Sequence, residues 1–273
     1  MKKLLTAMLT IALSVVTALS LTACGKKDDA SYVKKQGKLV IGVTDYAPYD
    51  YQDENGKWIG FDADMARLVG EELGVKTEFV EISWDAKITE LKSKKIDLIW
   101  NGMTVTDDLK AEMDFSYSYA KNSQVAVIKK SNAQKYTNLE SIKGAKVVAE
   151  GGSAGETAAV ENFGKDNVTD IESQVKALME VMTGTADVAI IDYSMAASLC
   201  GKGSYSDLQM VDGVSIGEEE FAVGIRKGSN LAETVNKVLV NAFKSGKAED
   251  LRQKYGANAD GSNSIALCDL SNK

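Results

Sequence analysis

The chain has 273 residues, 44% hydrophobic and 26% charged, enough for two globular units of roughly 100–130 residues each. Its formal charge of -7 and the lack of any clustered Lys/Arg excess exclude a nucleic-acid surface. Histidine does not occur, which removes Ser-His and Cys-His nucleophile systems and His-based zinc sites, and no cofactor is implied.

Lys2 and Lys3 precede the apolar run LLTAMLTIALSVVTALSLTA, the pattern of a secretory leader over residues 1–23. The run ends in Leu21, Thr22, Ala23 and Cys24, which look like a lipobox. That is the signal after which bacterial lipoproteins are cut before the cysteine and acylated on it with chains such as palmitate. A plain leader or membrane anchor with an incidental cysteine is the alternative. Two acyl chains on Cys24 give stable anchoring and place the protein on the extracytoplasmic face of the cell membrane. Residues 24–37, which include GKKDDASYVKKQG, are charged and poor in apolar side chains and read as a lipidated tether. With Cys24 lipidated, Cys200 and Cys268 remain as a pair in an oxidising compartment, where a disulfide is the default and two free thiols the alternative.

From Lys38 onward, strand and helix patterns alternate. KLVIGVT is a short apolar run that reads as a buried strand; GFDADMARLVGEELG carries Phe61, Met65, Leu68 and Val69 at helical spacing and stops at Gly74. TEFVEIS reads as strand, WDAKITELKSKK as helix and IDLIWNG as strand. This βαβαβ order implies a parallel sheet whose ligand sites lie beyond the C-terminal strand ends. NGMTVTDDLKAEMDFS begins at such an end, where a buried strand runs into small hydrogen-bonding residues before returning to Phe115. A second unit follows: SQVAVIKK and AKVVAE as strands, SAGETAAVENFG as a helix opened by a serine, and ADVAIID as a buried strand running into Asp192. EEFAVGIRKGS is a further strand, and NLAETVNKVLVNAFKSGKAEDLRQKYG reads as two helices split at Gly246. Two α/β lobes leave a cleft between them, the favoured place for a small ligand.

From about Lys38 to Gly256 the sequence resembles the extracytoplasmic solute-binding proteins of amino-acid ABC transporters, the polar amino acid type. The likeness rests on GVTDYAPYDY…GFDADMA, ITELKSKKIDLIWNGMTVT, MDFSYSY, GAKVVAEGGSAGE, ADVAIID and FAVGIRKGSNLAETVN, taken in that order. It implies a two-lobed type II periplasmic-binding-protein fold, each lobe a mostly parallel sheet flanked by helices. Residues 38–120 plus 221–273 would form lobe 1 and 121–220 lobe 2. The two hinge crossings would lie near Tyr119 to Ser123 and Glu218 to Phe221.

The resemblance also implies roles. Asn101, Gly102 and Thr104 would meet a zwitterion from lobe 1, unless they only satisfy a turn. Asp192 would pair with the ligand's ammonium, or else cap the helix after it. Ser153 and Ala154 open a helix whose free amides can hold a carboxylate, a role compatible with a simple N-cap. Tyr46 and Trp84 would flank the ligand side chain, with packed core as the alternative for Trp84. Asp45 and Glu150 would read that side chain, although Glu150 also suits a solvated loop. One position departs from the pattern: Leu109 stands where the family has an arginine for the carboxylate, so Lys87, Lys110 or Lys121, backbone amides with Ser153, or a ligand without an α-carboxylate must answer for it. Three acids without that arginine lean toward a cationic ligand. The expected protein is a monomeric, lipid-anchored receptor, not an enzyme, that captures an amino acid and hands it to an ABC permease. A sensory lipoprotein and a dehydratase-like enzyme on the same fold are the alternatives.

Overall fold

The structure is a computed structural model and describes residues 28–273. The expected leader and Cys24 lie outside the described residues. Among the described residues no helix is long and apolar enough to cross a membrane.

Two sheets organise the chain. The first runs in the order Lys76–Glu81, Lys38–Val43, Leu98–Ile99, Gly224–Arg226, Met113–Phe115. Its βαβαβ half is parallel, and Gly224–Arg226 enters antiparallel to both neighbours. The second sheet runs Leu208–Phe221, Ala120–Lys129, Val188–Asp192, Val147–Glu150, Val168–Ile171, parallel only in its last three strands. Both sheets are therefore mixed rather than mostly parallel, because strands that arrive from the other lobe join each sheet in the reverse direction.

Those arriving strands make the hinge. Ala120 to Ser123 pair with Phe221 to Glu218, and the ladder continues toward the first sheet through Tyr119 N–H to Phe221 O at 2.9 Å and Ser116 N–H to Val223 O at 3.1 Å. Ala266–Leu267 adds a short antiparallel partner beside Lys121 and Ala120.

The helices follow their sequence patterns. Phe61–Leu73 buries Phe61, Met65, Val69 and Leu73, a stripe of one residue per turn, and ends where Gly74 turns left-handed at φ 72°. Its start requires glycine, since a Cβ on Gly60 (φ 129°) would lie 2.1 Å from the Tyr49 carbonyl oxygen. Leu231–Lys244 and Lys247–Gly256 are separated at Gly246, with φ 83°.

Two expectations are corrected. The tether expected over 24–37 is, from Asp29 to Gln36, a helix capped by Asp28 and docked on lobe 1. Val33 is fully buried there, and Asp29 bonds Arg226 Nε and Lys94 Nζ at 2.9 Å each. Val33, with Ala30 and Tyr32, packs on the core, and an ion pair with a residue almost 200 positions away fixes the segment; so few apolar side chains and so distant a partner are why composition suggested a loose linker. The disulfide is not formed: Cys200 and Cys268 are free thiols. Cys268 N–H donates to Tyr119 O at the start of Ala120–Lys129, whereas Gly201 N–H donates to Tyr205 O, close to where Lys130 N–H meets Asp207 O past the strand's far end. Ten strand residues at ~3.3 Å each span about 30 Å, far beyond the ~7 Å limit for bridging two Cα atoms.

Candidate functional site

The C-terminal end of Lys38–Val43 places Thr44 and Tyr46 at the cleft. Thr44 points inward: its N–H and hydroxyl both donate to Asn101 Oδ1, at 3.0 and 2.7 Å. Asn101 Nδ2 in turn donates to Thr44 O and to Asp50 Oδ2. Next along the backbone, Gly102 adopts φ 56° and gives its N–H to the buried Asp62 carboxylate at 2.8 Å. A Cβ there would meet Tyr46 Cε1 at 2.3 Å, so the ring of Tyr46 packs directly against bare backbone.

Lobe 2 supplies the facing wall. Val147–Glu150 delivers Glu150, and the turn after it leads to Ser153, whose Oγ accepts from Glu156 N–H at 3.0 Å and caps helix Ala154–Phe163. Val188–Asp192 delivers Asp192. It occupies an N-cap position but makes no cap bond; its carboxylate instead accepts from the side-chain amides of Asn122, Gln124 and Gln174.

The jaws touch. Tyr46 Oη and Ser194 Oγ are 2.6 Å apart, Lys87 Nζ donates across the cleft to Gly152 O at 2.8 Å, and Thr104 Oγ1 donates to Glu219 Oε2 at 3.0 Å. Between the jaws lies a small cavity lined by Thr44, Tyr46, Trp84, Asn101, Gly102 and Thr104 from one side, and by Gln124, Glu150, Ser153, Ala154, Gln174 and Asp192 from the other. The centre of a water molecule has about 20 Å³ of it to occupy, room for one or two waters, so a larger guest requires the lobes to part. Through Thr104, Gln124 and Ala154 the cavity abuts a wider groove of about 930 Å³ beside the hinge.

Nine of the ten residues singled out from the sequence meet around this one cavity. Asp45 does not. It is exposed, because side chains alternate past Val43 and the inward places fall to Thr44 and Tyr46. Asn101 and Gly102 shape the wall, but the side chain of the first and the N–H of the second are already bonded inside lobe 1. Trp84 lines the cavity while packing with Leu91, Ile96 and Ile99. Glu150 is 3% exposed rather than solvated. Leu109, in the arginine's place, packs on the Trp84 cluster. Of the substitute cations, Lys110 pairs with Asp107, Lys121 reaches only the groove, and Lys87 is buried at the cleft 4.9 Å above the Trp84 ring.

The cavity is acidic. Burial raises the Glu150 carboxyl to about 8 even against the nearby Lys87 ammonium, and its Oε1 has no hydrogen-bond partner. Burial and then the neighbouring Glu219 hold Asp192 well above the usual carboxylate range. Sequence reasoning missed Gln124, Gln174, Asn122 and Glu219. The first three are amides on a strand and a helix start whose neighbours are ordinary, and only the pairing of the two hinge strands brings Glu219 opposite Asn122. Among the described residues no group of three or more His, Cys, Asp or Glu side chains could hold a metal ion.

Comparison with known proteins agrees with this architecture. The chain is 27% identical over 247 residues to the L-cystine-binding protein TcyJ of Escherichia coli (strain K12), covering 90% of this chain and 92% of that one. It is 30% identical over 247 residues to the arginine-binding extracellular protein ArtP of Bacillus subtilis (strain 168), covering 86% and 92%. Among solved structures, the ancestral amino acid-binding protein AncCDT-1, a precursor of cyclohexadienyl dehydratase, superposes with a TM-score of 0.77 at 34% identity over 84% of this chain and 99% of that one. Residues 39–258 match a single family model, and with its two mixed sheets, paired hinge strands and inter-lobe cavity the chain belongs to the bacterial extracellular solute-binding proteins, family 3.

Proposed function

We propose that this chain is an extracytoplasmic receptor that closes on an amino acid between its lobes and delivers it to an ABC transporter permease. The observation that carries the reading is the inter-lobe cavity, with aromatic rings on one wall and the Asp192 carboxylate on the other. An ammonium bound at Asp192 supplies the cation that a buried carboxylate otherwise lacks. A carboxylate is received by the open amides at the start of Ala154–Phe163, to which Ser153 holds the chain. The ring of Tyr46 and the Trp84 indole cover the side chain, and Glu150 favours one that carries positive charge or N–H donors. The names of the relatives, which bind cystine or arginine, support an amino acid as the ligand. Closure follows from the ligand bridging both walls, since it binds a form closed around it better than an open one, and the lobes close on it less far than in this empty form, whose cavity holds only one or two waters. In this reading acyl chains on Cys24 keep the receptor at the membrane beside its permease.

Calorimetric titration of the mature protein with the standard L-amino acids and L-cystine tests the reading: saturable heat from at least one of them is expected, and none from any contradicts it. A second reading, a dehydratase-like enzyme, draws on the likeness to AncCDT-1 and on Glu150, a buried acid raised to about 8 that could give or take a proton. Mass spectrometry of the recovered ligand separates the two, since a receptor returns it unaltered.

A further inference from the structure

Asp192 Oδ1 and Glu219 Oε1 accept from the same two side-chain nitrogens. Asn122 Nδ2 lies 2.5 Å from each oxygen, and Gln124 Nε2 lies 2.8 Å from each. An amide NH2 has two hydrogens, so each of these groups gives one to either carboxylate and the four atoms close into a ring. The remaining partners are Gln174 Nε2 on Asp192 and the Thr104 hydroxyl on Glu219. Every partner is neutral. Asp192 is only 6% exposed, and burial, then the adjacent Glu219, raises its carboxyl well above the usual range, so Asp192 ionises less readily than an isolated carboxylate. Asp192 lines the inter-lobe cavity and Glu219 the groove that adjoins it, and a second feature points to a guest on the cavity side: Glu150, 3% exposed and lining it, leaves Oε1 without a partner.

We propose that Glu219, a hinge-strand residue, is a second ligand-binding carboxylate, and that the ligand's ammonium, held between Asp192 and Glu219, displaces a proton from Asp192. The inference rests on the receptor reading above and names how that site takes charge. The balance is simple: protonated Asp192 beside Glu219 and R–NH3+ give the ammonium-bridged pair and one proton released to solvent. The hydrogens of a primary ammonium can reach both carboxylates, whereas an N-methylated amine offers fewer. Glu219 also spans the lobes, through Thr104 on one side and Asn122 and Gln124 on the other, so the group that binds charge belongs to the strand that bends during closure.

Other titratable groups facing the pair do not replace this role. Tyr46 and Tyr49 approach Asp192 from lobe 1, and burial raises both phenols well above their ordinary value. Glu150 shares the cavity. On the groove side stand Glu161, Glu218 and Glu220, with Lys121 on the adjoining strand, while Lys110 is held by Asp107. Burial and the proximity of Glu219 keep the Asp192 carboxyl protonated into a higher range than usual, so affinity for an ammonium rises with pH until Asp192 in the empty site would ionise unaided.

The test is titration of the mature protein with each standard L-amino acid and L-cystine, near neutral pH, in phosphate and in Tris, whose ionisation heats differ widely. Any amino acid that binds is expected to give buffer-dependent heat corresponding to release of about one proton. Glu219→Gln is expected to lose that release and bind ~10–100-fold more weakly, while Glu219→Asp, which keeps a carboxylate, retains part of it. The N-methyl form of the same amino acid should bind less well to wild type and lose less on Glu219→Gln. Equal heats in the two buffers, with binding intact, overturn the carboxylate pair and leave the receptor reading standing. No heat from any amino acid overturns both. The wild-type comparison needs no variant, so a poorly folding Glu219→Gln does not shield the proposal.

Discussion

Replacing Asp192 with asparagine separates the folding role of this residue from its binding role. Asparagine has the shape of a protonated aspartic acid, and Asp192 is 6% exposed and held well above the usual carboxylate range by burial and by Glu219. Losing the charge should therefore cost the empty fold little, but asparagine turns an NH2 toward Gln174 Nε2, where Asp192 Oδ2 accepts, so Asp192→Asn should lower stability by about 1–3 kcal/mol, the cost of one unsatisfied group. Alanine is the poorer probe. It would leave the amides of Asn122, Gln124 and Gln174 short of an acceptor, at about 1–3 kcal/mol for each group left unsatisfied. Binding is another matter, because the ligand's ammonium loses an ionised acceptor in a nearly dry cavity. A hydrogen bond to a charged group contributes about 1.5–3 kcal/mol, so affinity should fall at least ~10–100-fold. Thermal melting and calorimetric titration on the same preparation read both effects. Wild-type affinity in Asp192→Asn would remove the residue from the site, and a loss of stability well beyond about 3 kcal/mol would show that the ionised carboxylate is structural.

Arg226→Met should destabilise the fold by about 3–5 kcal/mol in urea unfolding, because Arg226 is 3% exposed and its loss removes the Arg226 ion pair of buried Asp97 and leaves buried Asp29 with Lys94 alone; a change below about 1 kcal/mol would contradict this. Asp62, fully buried and raised to about 7 by burial against the bonds from Tyr119 and Gly102, should make stability fall as pH rises from about 4 toward 7. The folded state then holds a proton that the unfolded state has lost, a slope of up to about 1.4 kcal/mol per pH unit, and Asp62→Asn should flatten the profile. Cys24→Ser should release the protein from membranes on fractionation, and an unchanged membrane fraction would refute lipidation there.

Much of the frame was legible because strands and helices announce themselves through burial. KLVIGVT, ADVAIID and the helix around Phe61, Met65 and Val69 each needed only one lobe's core to explain them, and each formed as expected. The strand-end residues Asn101 to Thr104 were also visible, as polar groups at the mouth of an apolar run. What could not be read depended on distant partners. The helix Asp29–Gln36 is fixed by Arg226, and nothing within its own composition marks it as docked. The cysteines are held apart by the length of one strand, a distance that counting cysteines does not contain. Asp45 and Thr44 differ by one step of strand alternation, and only the bonds to Asn101 decide which of them turns inward. Glu219 sits in the acidic run Glu218–Glu219–Glu220, which resembles a solvated strand until its register against Asn122 is known.

The most direct measurement is a crystal structure of the mature protein grown with the amino acid that binds most tightly. The account predicts that ligand between the lobes, its ammonium about 3 Å from Asp192 Oδ1 and its side chain between Tyr46 and Trp84. A bound ligand outside this cavity, or one whose ammonium faces away from Asp192, would contradict it.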